Sequence, residues 1–171
     1  MTDVSGLHQY LTFTLDEELF ALDITSVREI LDDTNITRIP RTPPFMRGVI
    51  NLRGHAVPVV DLRLKFGFPK TEFTVNTCVI IVEMLVDDEQ VVIGALADDV
   101  QEVVEMNPDQ IDPPPRMGAA IDTAFIKGMG KRDEQFVIIL DVNCIFSEAE
   151  IKVVAAAGDS MPAPESEAVS A

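Results

Sequence analysis

At 171 residues, with 47% hydrophobic and 25% charged side chains, the chain has the size and composition of one domain with a packed core. A formal charge of −16 and a pI near 4.3 make nucleic acid and anionic lipid surfaces poor partners. Met1 to Gly6 is polar with no basic start, and no apolar run is longer than Cys78 to Val82, which is strand-sized, so the reading is a soluble cytoplasmic protein without membrane insertion. Two cysteines, Cys78 and Cys144, lie far apart in apolar segments and are expected to be buried free thiols.

In chain order, His8 to Leu15 alternates, with Leu11, Phe13 and Leu15 on one face, and reads as a half-buried strand. Asp16 to Glu18 is a polar turn, and Leu19 to Leu22 returns as the second strand of a hairpin. Asp23 is placed to cap a helix expected over Ile24 to Leu31, with Ile24, Val27, Ile30 and Leu31 on one face. Ile36 to Ile39 is a short extended piece. Pro40, Pro43 and Pro44 then stiffen a loop and exclude helix.

Arg47 to Leu62 reads as a second hairpin: two apolar runs flank an Arg53-Gly54-His55 tip, with Val49, Ile50, Leu52, Val57, Val59 and Val60 as expected core. Pro58 inside its second strand predicts an edge or a bulge. A helical turn over Asp61 to Phe66 ends at Gly67. The pattern then restarts with strands at Cys78 to Val86, Gln90 to Ala97, Val100 to Met106 and Phe136 to Leu140. A second proline-stiffened loop spans Asp112 to Arg116, Asp141 can cap a short helix, a terminal helix is expected over 148–157, and 158–171 reads as a disordered acidic tail.

Each half thus carries a hairpin with an acidic turn, a proline-rich loop, and further strands ending at an Asp (Asp61, Asp141). This predicts two small, similarly built β-barrels sharing buried surface, divided roughly as 16–76 and 77–147, with the strand at 8–15 open to sharing between them. The sequence offers no catalytic, metal or cofactor motif: His8 and His55 have no recognisable nucleophile partner, and no phosphate loop is present. Asp98-Asp99 and Asp87-Asp88-Glu89 offer at most a weak cation site, and Asp98 and Asp99 leave an acid-dependent small enzyme as the contrasting class. Rigid loops, apolar surface and a glycine-bounded arginine at Arg53 instead suit a binding module, the arginine for bidentate contact with a carboxylate.

Gly48-Val-Ile-Asn-Leu-Arg-Gly-His-Ala-Val-Pro-Val-Val-Asp-Leu-Arg63 resembles the signature segment of the CheW family, the bacterial chemotaxis coupling proteins. Further blocks agree in order: Phe13-Thr-Leu with Asp23-Ile24, Val27-Arg-Glu-Ile30, Thr42-Pro-Pro-Phe45, Gly94 with Asp98, and Phe125-Ile-Lys-Gly-Met-Gly130. The resemblance, from about Gln9 to Ala157, implies a mainly β fold: two intertwined five-stranded SH3-like barrels sharing a core, with a few short helices. It implies a non-enzymatic adaptor bridging the cytoplasmic tip of a chemoreceptor to the regulatory domain of the CheA histidine kinase, in arrays beneath the membrane. A CheW-like adaptor of another chemosensory system, for pili or gliding, is the alternative. By resemblance, Val27, Glu29, Ile30, Arg53, Cys78, Val79 and Val103 are partner-binding positions, and Gly48, Gly54, Gly94, Gly128 and Gly130 are structural glycines.

Overall fold

A computed structural model describes residues 8–32, 35–40, 43–86, 88–113, 126–132 and 134–145. The strands are β1 (His8–Leu15), β2 (Glu18–Asp23), β3 (Val27–Asp32), β4 (Met46–Leu52), β5 (His55–Asp61), β6 (Cys78–Val86), β7 (Glu89–Ala97), β8 (Asp99–Met106), β9 (Ile111–Asp112), β10 (Ile126–Arg132) and β11 (Gln135–Leu140). The α-helix among the described residues is α1, Leu62–Lys65, and short 3-10 turns cover Ile24–Ser26, Pro108–Gln110 and Val142–Cys144. The expected helix at 148–157 and the tail lie outside the described residues.

The strands form two sheets, ordered β8-β1-β2-β11-β10-β9 and β3-β6-β7-β5-β4. Apart from the two-residue β9, the orders correspond strand for strand. In each sheet an edge strand flanks a hairpin, and the hairpin's second strand runs parallel to a second hairpin: β2 with β11 through Phe20–Ile138, and β7 with β5 through Val59–Gly94. The chain is thus mostly β, built as two SH3-like units.

The order of elements repeats as the sequence suggests, but sheet membership does not follow a division near residue 76. The first hairpin of each half is exchanged: β1–β2 joins the strands from 99–140, and β6–β7 joins β3–β5. Hydrophobic alternation reports only that a strand buries one face. It carries no information about which distant strand lies beside it.

The helix expected over Ile24 to Leu31 is instead a single 3-10 turn, Ile24–Ser26, followed by β3. Asp23 does cap it, accepting the Thr25 N–H at 2.9 Å. Beyond the turn, half-buried Val27, Glu29 and Leu31 alternate with exposed Arg28, Ile30 and Asp32. A stretch with Val27 and Ile30 matches a strand template as well as a helical one, and the unpaired edge of β6 decides between them. Asp61 and Asp141 cap their turns in the same way, accepting the Arg63 and Asn143 N–H groups, each at 3.1 Å.

Three hydrophobic clusters form among the described residues. The largest contains Leu11, Phe13, Phe20 and Leu140 from the first sheet and Val49, Val60, Ile80 and Val82 from the second, so both sheets close on one shared core. A second gathers Tyr10, Ala21, Val104 and Ile139 inside the first sheet, and a third Ile50, Val59, Val79, Ile81 and Leu96 inside the second. β6 supplies Ile80 and Val82 to the shared core and Val79 and Ile81 to the inner cluster, which is why Cys78 to Val82 reads as an unbroken apolar run. Of the core expected in the second hairpin, Val49, Ile50, Val57, Val59 and Val60 are buried and Leu52 is half-buried.

Thr37, which follows β3 in the chain, bridges Val49 of β4 at the opposite edge of the second sheet, with both bonds at 2.8 Å. Gly48 makes this approach possible: at φ +142° a Cβ there would lie 2.1 Å from the Thr37 carbonyl oxygen. The bridge also explains Pro58. Val49 gives its N–H and carbonyl to Thr37, so the Val49–Pro58 pair is non-hydrogen-bonded and a missing donor costs the β4–β5 ladder nothing. β5 is therefore an interior strand, not the edge its proline predicted, and the bulge lies in β4 between Met46 and Gly48.

Candidate partner-binding surface

The β4–β5 turn is a two-residue loop, Arg53-Gly54, closed by the Leu52–His55 pair. Both residues have positive φ, +50° and +86°, the requirement of a type I′ hairpin. Glycine adopts this freely, while arginine is disfavoured there. The Asn51 side-chain oxygen accepts the Gly54 N–H at 2.8 Å and holds the turn. The tip thereby projects Arg53 toward edge strand β3, where its guanidinium grips Glu29 with two hydrogen bonds: Nη1 to Oε1 at 3.3 Å, and Nη2 to Oε2.

The charges on β3 are thus not free in solvent. The hydrogen bond from Arg53 holds the Glu29 carboxyl below its usual range, helped by the charges of Arg53 and Arg28, and the same contact raises the guanidinium pKa of Arg53. Arg28 pairs with Glu83 on β6 at 2.9 Å, and Gln90 donates to the same carboxylate. Glu29 lies opposite Ile81, on the face of β6 turned to the inner cluster, so the ion pair sits at the rim of the second sheet's interior.

The other expected contact residues divide by face. Ile30 pairs with Ile80, and Asp32 with Cys78, placing all four on the face turned to the shared core. Ile30 is nevertheless 41% exposed, because β3 is an edge strand. Val103 lies opposite buried Leu11 on the shared-core face of β8, itself an edge strand, and is 47% exposed. Burial, reinforced by Asp32 of one sheet and Asp99 of the other, raises the Cys78 thiol pKa. Ile30, half-buried Cys78 and Val103 therefore line the seam where the edges of the two sheets flank the shared core.

Two expected contacts fall elsewhere. Val79 is 2% exposed in the inner cluster, so it offers no surface, because the register that exposes one face of β6 at Cys78 buries the next residue on the other. Val27 is half-buried against the shared core. The cysteines are free, but Cys78 is half-buried and Cys144 is exposed, not buried as expected. Of the remaining glycines, a Cβ on Gly94 would lie 2.6 Å from the Val79 side chain, on Gly128 2.9 Å from the Asp112 carbonyl oxygen, and on Gly130 2.6 Å from the Met106 sulfur.

Asp98 and Asp99, the acidic pair of the enzyme alternative, both have local partners, with Asp99 accepting from Gln101 Nε2 at 3.0 Å, while Asp87 lies outside the described residues. Asp98 receives Arg63 Nε at 3.0 and 3.1 Å, Arg63 Nη2 at 2.5 Å and the Asp16 N–H at 2.8 Å, tying α1, the β1–β2 turn and the β7–β8 junction together. This pairing raises the Arg63 pKa, against the opposing effect of burial. Among the described residues no group of three or more His, Cys, Asp or Glu side chains could hold a metal ion. A residue the sequence reading treated only as a strand end proves central: fully buried Asp61 accepts from Arg47 Nη1 at 3.0 Å, the Thr71 N–H at 3.0 Å and the Thr71 hydroxyl at 2.7 Å, anchoring the loop after α1. Its helix-cap position between a strand and an amphipathic turn is legible in sequence; its burial is not.

A family profile described as a CheW-like domain matches residues 9–150. The chain belongs to the CheW-like family. It is 36% identical over 146 residues to the chemotaxis protein CheW of Klebsiella aerogenes, covering 85% of this chain and 86% of the relative. It is 30% identical over 155 residues to that of Thermotoga maritima, covering 89% and 96%. The crystal structure of the scaffolding protein TtCheW from Thermoanaerobacter tengcongensis superposes with a TM-score of 0.73 at 38% identity, covering 84% of this chain and 94% of that one. The Arg53-Glu29 rim and the seam between the sheets therefore sit on the scaffold of a CheW-like chemotaxis protein.

Proposed function

We propose that the chain is a non-enzymatic adaptor that couples the cytoplasmic tip of a chemoreceptor to the regulatory domain of a CheA-type histidine kinase, acting in the cytoplasm at membrane-associated receptor arrays. The observation that carries this reading is the match of the CheW-like profile across 9–150, over a surface that presents a rigid ion pair beside half-exposed apolar residues. Ile30 and Val103 provide apolar contact for the stripe of a receptor helix, with half-buried Cys78 on the same seam. Arg53 and Glu29 set orientation at the rim more than they add affinity. Among the described residues no helix is long and apolar enough to cross a membrane.

The test is reconstitution with a receptor cytoplasmic fragment and CheA, read as kinase activation. Arg53→Glu places like charges together at the rim and is expected to impair receptor control of the kinase while the far-UV circular dichroism stays that of the wild type. Wild-type control by that variant would remove Arg53 from the coupling surface. Ile30→Asp is expected to weaken co-purification with a partner; unfolding in its place would make Ile30 a core residue.

A further inference from the structure

A second surface lies away from the rim and the seam. Arg38 to Pro40, Pro44, the start of β4, α1 and Lys70 enclose an open cleft of about 590 Å³. Its floor is apolar, formed by Met46 and Leu64, and Pro40 and Pro44 form part of its wall. Arg38, Arg47 and Lys70 also line it. A smaller neighbouring cleft of about 230 Å³ shares Arg38 and Arg47 and adds Phe73, which is 51% exposed with the Arg47 guanidinium 5.0 Å from its ring centroid.

Among the described residues no acidic side chain lines either cleft, in a chain where acids outnumber Lys and Arg 29 to 13. Glu72, exposed and next to Phe73 in the chain, is not among the lining residues, and Asp61 lies buried beneath Arg47. Asp61 balances the charge of Arg47, but Arg38 and Lys70 form no ion pair among the described residues. Two unbalanced cations therefore stand around an apolar floor.

We propose that this cleft docks an extended acidic segment of a partner protein, with carboxylates meeting Arg38 and Lys70 and an apolar side chain between them resting on Met46, Leu64 or Phe73. The charge argument selects this occupant. The −16 net charge opposes long polyanions and anionic membranes, whereas a short acidic peptide answers a local pair of cations and needs the apolar floor as well. Pro40 and Pro44 stiffen the wall, so little is lost in ordering it on binding. The inference goes beyond the adaptor reading and uses none of its contact residues.

The experiment is fluorescence anisotropy of the full chain with a fluorescein-labelled Glu-Leu-Glu-Glu-Phe-Glu peptide. Saturable binding that weakens as salt rises is expected, and the double variant R38E/K70E is expected to bind roughly tenfold or more weakly. The control variant K131E, on an exposed position of β10, is expected to bind as the wild type does. Circular dichroism confirms that both variants are folded. The proposal is overturned if the wild type shows no saturable binding, if K131E loses as much affinity as R38E/K70E, or if a peptide with Gln in place of every Glu binds equally well. Binding to phosphatidylserine vesicles through Arg38 and Lys70 without peptide binding would also overturn it, in favour of a lipid surface.

Discussion

Arg53 is held in a left-handed backbone conformation by contacts on both sides of its turn, Asn51 to the Gly54 N–H and Glu29 to the guanidinium. This gives the rim a defined pH behaviour. The Glu29 carboxyl is held below its usual value of 4.5, so the pair's contribution is complete above that value and is lost only as pH falls through the lowered one. The contact is therefore constant across the neutral range. Following the Glu29 carboxyl carbon by NMR, Arg53→Ala is expected to return its titration close to 4.5, and an unchanged titration would show that the contact is not formed in solution. Asp61 makes the opposite kind of prediction. Its carboxylate is fully buried, so Asp61→Ala strands the largely buried Arg47 and the two donors of Thr71. A loss of about 3–5 kcal/mol is expected in urea unfolding. A loss below about 1 kcal/mol, typical of an exposed pair, would show that water reaches the site.

At the scale of elements, two glycines with positive φ separate backbone strain from close approach. A Cβ on Gly48 meets the Thr37 carbonyl oxygen at 2.1 Å, whereas one on Gly67 meets nothing within 4 Å. Gly67→Ala is expected to cost about 1–2 kcal/mol, for the left-handed conformation alone. Gly48→Ala adds the separation of the Thr37–Val49 bridge, for a total of roughly 2–6 kcal/mol. Equal losses in chemical denaturation would show that the bridge contributes nothing. β3 shows how much an element can owe to its setting. Its sequence fits a short helix with Ile24, Val27 and Ile30 on one face, yet β6 offers an unpaired edge and β3 takes it through Ile30–Ile80 and Leu31–Val79. That choice exposes Ile30 and turns Glu29, on the opposite face, toward Arg53.

For the whole molecule, the exchange of hairpins makes the two sheets interdependent. β1–β2 needs β8 and β11, β5 needs β7, and the shared core draws Phe13 and Phe20 from one sheet and Val49 and Ile80 from the other. The Arg63–Asp98 clasp spans α1, the β1–β2 turn and the β7–β8 junction. A fragment ending at residue 76 lacks the partners of both its hairpins, and it is expected to show no cooperative unfolding. The full chain is expected to unfold in one step. Tyr10, the one tyrosine in a chain without tryptophan, lies in the inner cluster of the first sheet, so its fluorescence reports that sheet while circular dichroism reports both. Coincident urea midpoints are expected; separate midpoints would mean that the sheets melt independently.

What the sequence determined by itself was local. The strands around Phe13, Val59, Ile80 and Ile139 follow from apolar alternation or β-branched runs, and the caps at Asp23 and Asp141 follow from an acidic side chain ahead of a turn. The collinear motifs around Arg53 also pointed to the family, because they record several such local features in one order. Tertiary structure decided what depends on distant neighbours: the exchange of β1–β2 and β6–β7, the conversion of 27–32 to an edge strand, the interior place of Pro58, and the burial of Val79 beside half-exposed Cys78. It also decided the pairing at the rim. Arg53 was legible as an arginine on a glycine-bounded tip, but its grip on Glu29, twenty-four residues away, exists only because β3 lies at the open edge of the sheet the tip belongs to. The physical reason is that backbone preference and side-chain periodicity act over a few residues, whereas partner choice is settled by which long-range pairing closes the shared core without leaving a polar group unsatisfied.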